Sequence, residues 1–307
     1  MELDSIDRSL LAELQRDGRA SFETLARRVQ LSRTAARART LRILSTDSVR
    51  VVGIVHPGVF GLSVFAHLSV LVDGPARPVA ERIAALSQAP FVSLVAGAHS
   101  VIAEVRVRDF PALTEVVTSI RGTPDVRAIR TATYTSVVKD PYFPPGMLYP
   151  ITLDETDRAL LAELQRDGRM PYTDLAHVAA LSVAPTRARV RRMIQAGVVH
   201  IGALVQPVAL GLGQMCGVAL TLDDEEDALA AVAELPAVHL LASCVGHCDA
   251  IGTLQAASPA DLLAALEQVR GMPGVCSVEG WAHLDLIKEE YGPSPLEEIP
   301  LAGEEAL

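Results

Sequence analysis

The sequence predicts an α+β protein built twice over, and three observations carry that reading. The ten residues from Leu10 to Arg19 recur unchanged from Leu160 to Arg169, a spacing of 150 residues in a chain of 307. Each decapeptide lies in the first of three short segments with helical apolar spacing. The spacing then switches to alternating, β-branched runs separated by turn residues, first after residue 50 and again after residue 200. An internal repeat of this length identifies two copies of one folding unit, each large enough for its own core.

The first 50 residues read as three helices. Asp4 caps the first, with Asp7 in the reciprocal capping-box position. Ile6, Leu10, Leu11 and Leu14 form its apolar face. Gly18 is expected to end the helix in the left-handed conformation. Ser21 caps a second helix with the stripe Phe22, Leu25, Ala26 and Val29. A third runs from Arg33 to Leu44, with Ala36, Thr40 and Ile43 facing inward. Copy two repeats the pattern with Asp154, Asp157 and Gly168, then Tyr172, Leu175, Ala176 and Ala179, then a helix from Val183 to Ala196 carrying Thr186, Val190 and Met193 inward.

Each trio leads into a strand, Val51–Val55 or Ile201–Val205. Strand, helix, two strands, helix and strand follow: 64–72, 78–87, 92–95, 101–107, a helix opening at Asp109-Phe-Pro, and 126–138. Copy two gives 215–222, 225–235, 238–245, 250–255, a helix opening at Ser258-Pro, and 275–287. Proline in the first turn of the last helix costs nothing there. The order βαββαβ is the ferredoxin-like pattern, an antiparallel sheet with both helices on one face. The expected domains are 1–50 and 151–200 (helical), 51–140 and 201–292 (ferredoxin-like), a proline-rich linker at 141–150 and an acidic, disordered tail at 293–307.

Net charge is −10, but it is unevenly placed. Residues 1–50 hold ten basic and seven acidic side chains; residues 201–307 hold two basic and seventeen acidic. A local patch, not the total, decides whether phosphate is attracted. The third helices carry Arg33, Arg37, Arg39 and Arg42, and Arg187, Arg189, Arg191 and Arg192. Guanidinium suits both phosphate and guanine edges. Ser32 and Ser182 stand at the helix starts, where hydroxyl and free N–H groups hold phosphate. The candidate DNA-binding set is therefore Ser32, Arg33, Thr34, Arg37, Arg42, Ser182, Arg187, Arg191 and Arg192, with Arg39 and Arg189 bracing the helix. Leu41 and Leu44 stand where copy two has Arg191 and Ile194, and are read as marking a helix–helix contact. Because Arg33 and Thr34 face Val183 and Ala184 in the alignment of copies, the two units are expected to prefer different half-sites.

The four cysteines, Cys216, Cys244, Cys248 and Cys276, all lie in copy two. Buried free thiols are the expectation; a zinc or redox site at Cys244-x-x-x-Cys248 lacks a second ligand pair nearby. There is no Walker loop, Rossmann fingerprint or nucleophile–base–acid arrangement. No apolar run is long enough to span a membrane, and the N-terminus has no basic, apolar, cleavable stretch, so a cytoplasmic protein is expected.

Leu3-Asp-x-x-Asp-Arg8, Leu10 to Arg19, Leu25-Ala26 and Leu31-Ser32, with their counterparts from Leu153 through Val199, resemble the N-terminal domain of Lrp/AsnC transcription regulators, and the βαββαβ segment resembles that family's sensing domain. The resemblance covers nearly the whole chain. It implies a winged helix-turn-helix unit followed by a ligand-binding domain in each copy. The implied protein is a non-enzymatic DNA-binding regulator answering to an amino acid or related effector, with no other cofactor and no metal. Its expected partners are double-stranded DNA, the effector and itself. The family's effector turn, Gly-x-x-Asp, maps onto Gly246, His247 and Asp249; in copy one Gly97 matches but Ser100 replaces the acid. The family's glycine in the helix-turn-helix turn is replaced by Gln30 and Ala180. Fusion implies an internal pseudo-dimer with the sensing sheets face to face. A siroheme decarboxylase of similar two-unit architecture, and a co-regulator without DNA binding, are the alternatives.

Overall fold

The computed structural model describes residues 3–46, 48–140, 149, 151–205, 213–223 and 225–289. The acidic tail lies outside the described residues, as does the proline-rich linker apart from Tyr149. Copy one runs α1 (Ser5–Arg16), α2 (Phe22–Arg28), α3 (Arg33–Leu44), β1 (Val49–Val55), β2 (Val64–Val72), α4 (Arg77–Ala84), β3 (Phe91–Ala96), β4 (Val101–Val107), α5 (Phe110–Arg121) and β5 (Val126–Lys139). Copy two runs α6 (Glu155–Arg166), α7 (Tyr172–Val178), α8 (Val183–Gln195), β6 (Val199–Val205), β7 (Gln214–Leu222), α9 (Glu225–Ala233), β8 (Val238–Gly246), β9 (Ala250–Ala256), α10 (Pro259–Arg270) and β10 (Val275–Glu289). The chain sorts these into two compact units by type rather than by copy. One holds both helical trios and β1 and β6; the other holds both βαββαβ segments.

In the helical unit, both capping boxes form: the Asp4 and Asp154 side chains accept from the Asp7 and Asp157 N–H groups at 2.8 Å. Leu10, Leu14, Leu25, Ala36 and Ile43 are fully buried, as are Leu160, Leu164, Leu175, Val190 and Met193. Each such leucine contributes about 1.5–3 kcal/mol by leaving water. Asp7, not Ile6, is the buried neighbour of this leucine face in α1. Gly18 does not end the helix in the left-handed conformation expected of it. Helix α1 ends on Asp17 in extended conformation (φ −148°, ψ 90°), and neither Gly18 nor Gly168 has positive φ.

These glycines serve close approach instead. The Gly18 N–H donates to Ile201 O (2.7 Å) and the Gly168 N–H to Val51 O (2.9 Å). Each helix of the decapeptide thus abuts the strand of the other copy, α1 against β6 and α6 against β1. The two strands pair antiparallel, from Val49↔Val205 to Val55↔Val199. A Cβ on Gly168 would stand 2.8 Å from Ile201 Cγ2 and 2.9 Å from the Val52 carbonyl carbon, closer than carbon atoms pack.

The second unit is a closed antiparallel barrel, ordered β10-β3-β4-β2-β5-β8-β9-β7. Each copy contributes a four-stranded sheet, and the edges join through β5–β8 and β10–β3. Closure leaves no edge strand to aggregate. Alternation along each strand makes two surfaces. Leu68, Val70, Ala103 and Val105 pack outward against α4 and α5, and Val218, Leu220, Ala250 and Leu254 against α9 and α10. Val95, Ile102, Ala132, Ala219, Cys244, Cys248, Ile251 and Trp281 form the inner cluster.

The copies also cap each other. Lys139 Nζ donates to Ala233 O (2.7 Å) and Leu235 O (3.0 Å) after α9, while Lys288 Nζ donates to Ala84 O (3.0 Å) and Leu86 O (3.1 Å) after α4. A cation at a helix C-terminus satisfies orphan carbonyls and complements the dipole. Equivalent positions have diverged into complementary partners. Arg130 and Glu279, which match in the repeat, form an ion pair at 3.5 Å. His67 pairs in register with Ala132, while Gly217, its counterpart, pairs with Trp281. The His67 and Trp281 rings meet at 5.2 Å, and the Trp281 ring occupies the space a side chain on Gly217 would need.

Candidate nucleic-acid interface and sensing turns

Helix α3 begins at Ser32, whose hydroxyl accepts from the Ala35 N–H at 3.2 Å. Ser182 makes no such bond. The reason is in the sequence: Pro185 stands third in α8 and has no N–H to give. The Ser182 hydroxyl therefore points to no helix donor and is exposed. On the outer face of α3 stand Arg33, Thr34, Arg37, Leu41 and Arg42, and on that of α8 stand Val183, Ala184, Arg187, Arg191 and Arg192, all exposed. Leu41 is exposed and Leu44 half-buried.

The inner edge of each helix is tied to the first helix by charge. Arg39 Nη1 donates to Asp4 and to Asp7 Oδ1 (3.0 Å), and Arg189 Nη1 to Asp154 (2.8 Å) and Asp157 Oδ1 (2.9 Å). Arg42 and Arg192 close the same clusters through Asp7 and Asp157. Asp7 and Asp157 are buried, so breaking either cluster strands a carboxylate away from water. The Arg39 hydrogen bond holds the Asp4 carboxyl below its ordinary range. At Asp154 burial works the other way, but the Asp157 N–H and Arg189 prevail. Thus Arg42 and Arg192, candidates for DNA, have one guanidinium nitrogen committed to the fold, whereas no such tie holds Arg33, Arg37, Arg187 or Arg191 among the described residues.

A second set of residues joins the two reading helices, and the sequence reading missed it. Arg19 donates to Gly168 O and Met170 O, both at 2.8 Å; Arg169 donates to Gly18 O (2.6 Å) and Ala20 O (3.4 Å). Arg19 also stacks on Tyr172 (4.4 Å), whose ring carries Arg187 (5.0 Å). Arg169 stacks on Phe22 (5.5 Å), which carries Arg37 (5.9 Å). Each aromatic ring is held between an arginine of the other copy and the reading arginine of its own. Burial, then repulsion from Arg19, lowers the Arg169 pKa. The signal was present in that the identical decapeptide ends on these arginines.

The sensing turns join β3 to β4 and β8 to β9. In copy one the Ser100 N–H donates to Val70 O (3.0 Å), and in copy two the Asp249 N–H donates to Leu220 O (2.9 Å). Asp249 Oδ2 also accepts from the Leu222 N–H at 2.8 Å, a bond for which Ser100 has no counterpart carboxylate. Gly97 backs onto Trp281 of β10, and Gly246 (φ +152°) onto Thr131 and Ala132 of β5, so each turn lies against the last strand of the other copy. At Gly246 a side chain would run into the Thr131 carbonyl. His247 Nδ1 stands 3.5 Å from that same oxygen. The barrel interior beside the turns holds buried polar groups: His67, Ser69, Ser93 and Glu104. Burial, then the neighbouring His247, lowers the His67 pKa to about 3. His283 Nδ1 meets Ser93 Oγ at 2.9 Å, and Arg106 binds Glu104 at 2.7 Å.

Three of the four cysteines are buried as expected, but Cys276 is exposed. No three metal-ligating side chains gather among the described residues. No described helix is long and apolar enough to cross a membrane.

The AsnC-type helix-turn-helix domain matches residues 3–43 and 153–194, and the Lrp/AsnC ligand binding domain matches residues 63–142. The chain is 30% identical over 149 residues to the proline dehydrogenase transcriptional activator of Rhodobacter capsulatus, covering 46% of this chain and 97% of that protein. It is 31% identical over 141 residues to the HTH-type transcriptional regulator LrpA of Mycobacterium tuberculosis, covering 45% and 94%. Over its whole length the fold is similar to that of the siroheme decarboxylase NirDL (TM-score 0.62, 13% identity, 96% of both chains).

Proposed function

The chain belongs to the Lrp/AsnC family of transcriptional regulators, and on that premise we propose that one chain supplies both halves of a DNA-binding dimer. The carrying observation is the reciprocal clamp, in which Arg19 and Arg169 lock the two helical trios together while Arg37 and Arg187 stay exposed on the reading helices. Two reading helices held in one unit suit two half-sites on one face of the duplex. Arg33, Thr34, Arg37, Arg187 and Arg191 are assigned to DNA, with Ser32 and Ser182 at the phosphate. Arg42 and Arg192 contribute charge while bracing Asp7 and Asp157. Because the two outer faces differ at Arg33/Val183 and Thr34/Ala184, the half-sites differ too.

The effector, an amino acid or related small molecule, is assigned to the second sensing turn through Gly246, His247 and Asp249. Gly97 and Ser100 close the matching turn of copy one without the carboxylate an amine needs. A mobility-shift titration with the protein's own upstream region tests the DNA assignment. Binding should fall by roughly 10³-fold or more between 50 and 200 mM salt if six or more phosphates are engaged. Arg37→Ala and Arg187→Ala should each cost about 1–3 kcal/mol. Equal affinity for random DNA would overturn the reading.

A second reading, a tetrapyrrole-processing enzyme, draws on the whole-length likeness of fold and on the interior histidines His67 and His283. Against it, Arg106, a cation beside that interior, is already paired with Glu104. An unchanged absorption spectrum on adding siroheme to the purified protein retires it.

A further inference from the structure

Cys244 and Cys248 flank the tip of the second sensing turn, and their Sγ atoms stand 3.6 Å apart. Both side chains are buried, while Val245, Gly246 and His247 between them are exposed. The backbone already closes the hairpin here, since the Cys244 N–H donates to Asp249 O at 2.8 Å. The pair has no counterpart in copy one, where Val95 and His99 hold the equivalent places. With no third metal-ligating side chain gathered beside them among the described residues, two facing thiols are left with one shared chemistry.

We propose that Cys244 and Cys248 are a reversible dithiol–disulfide pair, oxidised by hydrogen peroxide, that remodels the second sensing turn and leaves the first untouched. The Cys248 thiolate attacks the peroxide oxygen, the O–O bond breaks, and a sulfenic acid and one water form. The Cys244 sulfur then attacks the Cys248 sulfur, displacing the hydroxyl as a second water. Two thiols lose two electrons and two protons, and the peroxide is reduced to two waters. Cys248 is the attacking group because its sulfur shares a hydrogen bond with the Cys244 sulfur, and that bond holds its pKa below the ordinary thiol value against the opposing effect of burial. The sulfurs must close from 3.6 Å to about 2.05 Å. That movement draws on a turn whose tip is exposed and whose next residue is Asp249. The consequence for effector binding rests on the assignment of Asp249 above; the disulfide itself does not.

The test uses the full-length reduced protein, stoichiometric hydrogen peroxide, alkylation under denaturing conditions and peptide mass mapping. The expected result is loss of two of the four thiols, recovered in one peptide lacking two hydrogens that spans Cys244 to Cys248 and is restored by dithiothreitol. Cys244→Ser and Cys248→Ser should each abolish that species, whereas Cys216→Ser and Cys276→Ser should leave it. Circular dichroism on each variant separates a lost disulfide from a lost fold, and the wild-type map stands without them. Peroxide that modifies exposed Cys276 while Cys244 and Cys248 remain alkylatable overturns the proposal. So does oxidation of either thiol to sulfinic acid without the cross-link. An effector titration that fails while the cross-linked peptide forms would count against the effector assignment alone.

Discussion

Replacing Gly168 by alanine tests how the two helical trios are joined. The new methyl would stand 2.8 Å from Ile201 Cγ2, 2.9 Å from the Val52 carbonyl carbon and 3.0 Å from Val52 Cα. Favourable carbon contacts lie at about 3.5–4.0 Å, so the α6 end and β1 must separate by roughly 0.5–1 Å. Two of the three obstacles are backbone and cannot rotate away. Separation also stretches the 2.9 Å bond from the Gly168 N–H to Val51 O and the Arg19 bond to Gly168 O. Overpacking of this kind costs about 1–3 kcal/mol. Gly122→Ala is the internal control: its nearest neighbour is a carbonyl oxygen at 3.5 Å and its backbone is right-handed helical (φ −73°). There alanine should be neutral or stabilise by about 0.4–1 kcal/mol, because it restricts the unfolded chain. Urea denaturation followed by far-ultraviolet circular dichroism reads both. A Gly168→Ala protein as stable as the parent, or a Gly122→Ala protein equally weakened, would refute the close-approach argument.

Gln30 (φ 56°) and Ala180 (φ 51°) sit in the left-handed region without being glycine, a placement that costs about 1–2 kcal/mol; Gln30→Gly and Ala180→Gly should therefore raise the melting temperature, and a fall would contradict the strain. Lys288→Met removes the donor to Ala84 O and Leu86 O and should cost about 1–3 kcal/mol in urea titration, with Lys139→Met matching it at Ala233 and Leu235. Acid should weaken the barrel. Burial lowers His67 to about 3 and His239 and His283 to about 4, so their stabilising effect is complete above the unfolded value near 6.5 and is lost as pH falls. Glu289, raised to about 7 by burial and by Glu104, acts oppositely: its contribution is complete below the unfolded value near 4.5 and is lost as pH rises through about 7. Between about 4.5 and 6.5 the unfolded chain gains a net two protons from these four groups, a slope of about 2.7 kcal/mol per pH unit. The urea midpoint of Trp281 fluorescence should drop from pH 7 to pH 5; a midpoint that rises or stays level would contradict it.

The fold was legible where it rests on local chemistry. The Asp4 and Asp154 capping boxes, the buried triplets Ala36/Thr40/Ile43 and Thr186/Val190/Met193, and the βαββαβ order follow from spacing and side-chain type alone. What the sequence concealed is contact between copies. No local signal links Val52 to Gly202 or tells that β5 pairs β8, because such pairs are chosen by the closed assembly. Gly18 was misread for the same reason: a glycine after a helix ordinarily ends it, and only the strand of the other copy shows why a side chain is excluded. At the site, Arg39 and Arg189 were read correctly as braces from their place on the helix. Arg19 and Arg169 carry no local signal, because their partners, Tyr172 and Phe22, lie about 150 residues away. The repeat could have exposed them, since both sit at the end of the stretch that did not diverge. Divergence proved informative in the barrel, where Arg130 and Glu279 became partners across the two copies.

The most direct test of a single chain acting as both halves of a DNA-binding dimer is hydroxyl-radical footprinting of its upstream region. Protein carrying Arg37→Ala or Arg187→Ala is compared with the parent. The account predicts protected tracts about one helical turn apart, or a multiple of it, with Arg37→Ala releasing one tract and Arg187→Ala the other. Both substitutions releasing the same tract, or a footprint unchanged by either, would contradict it.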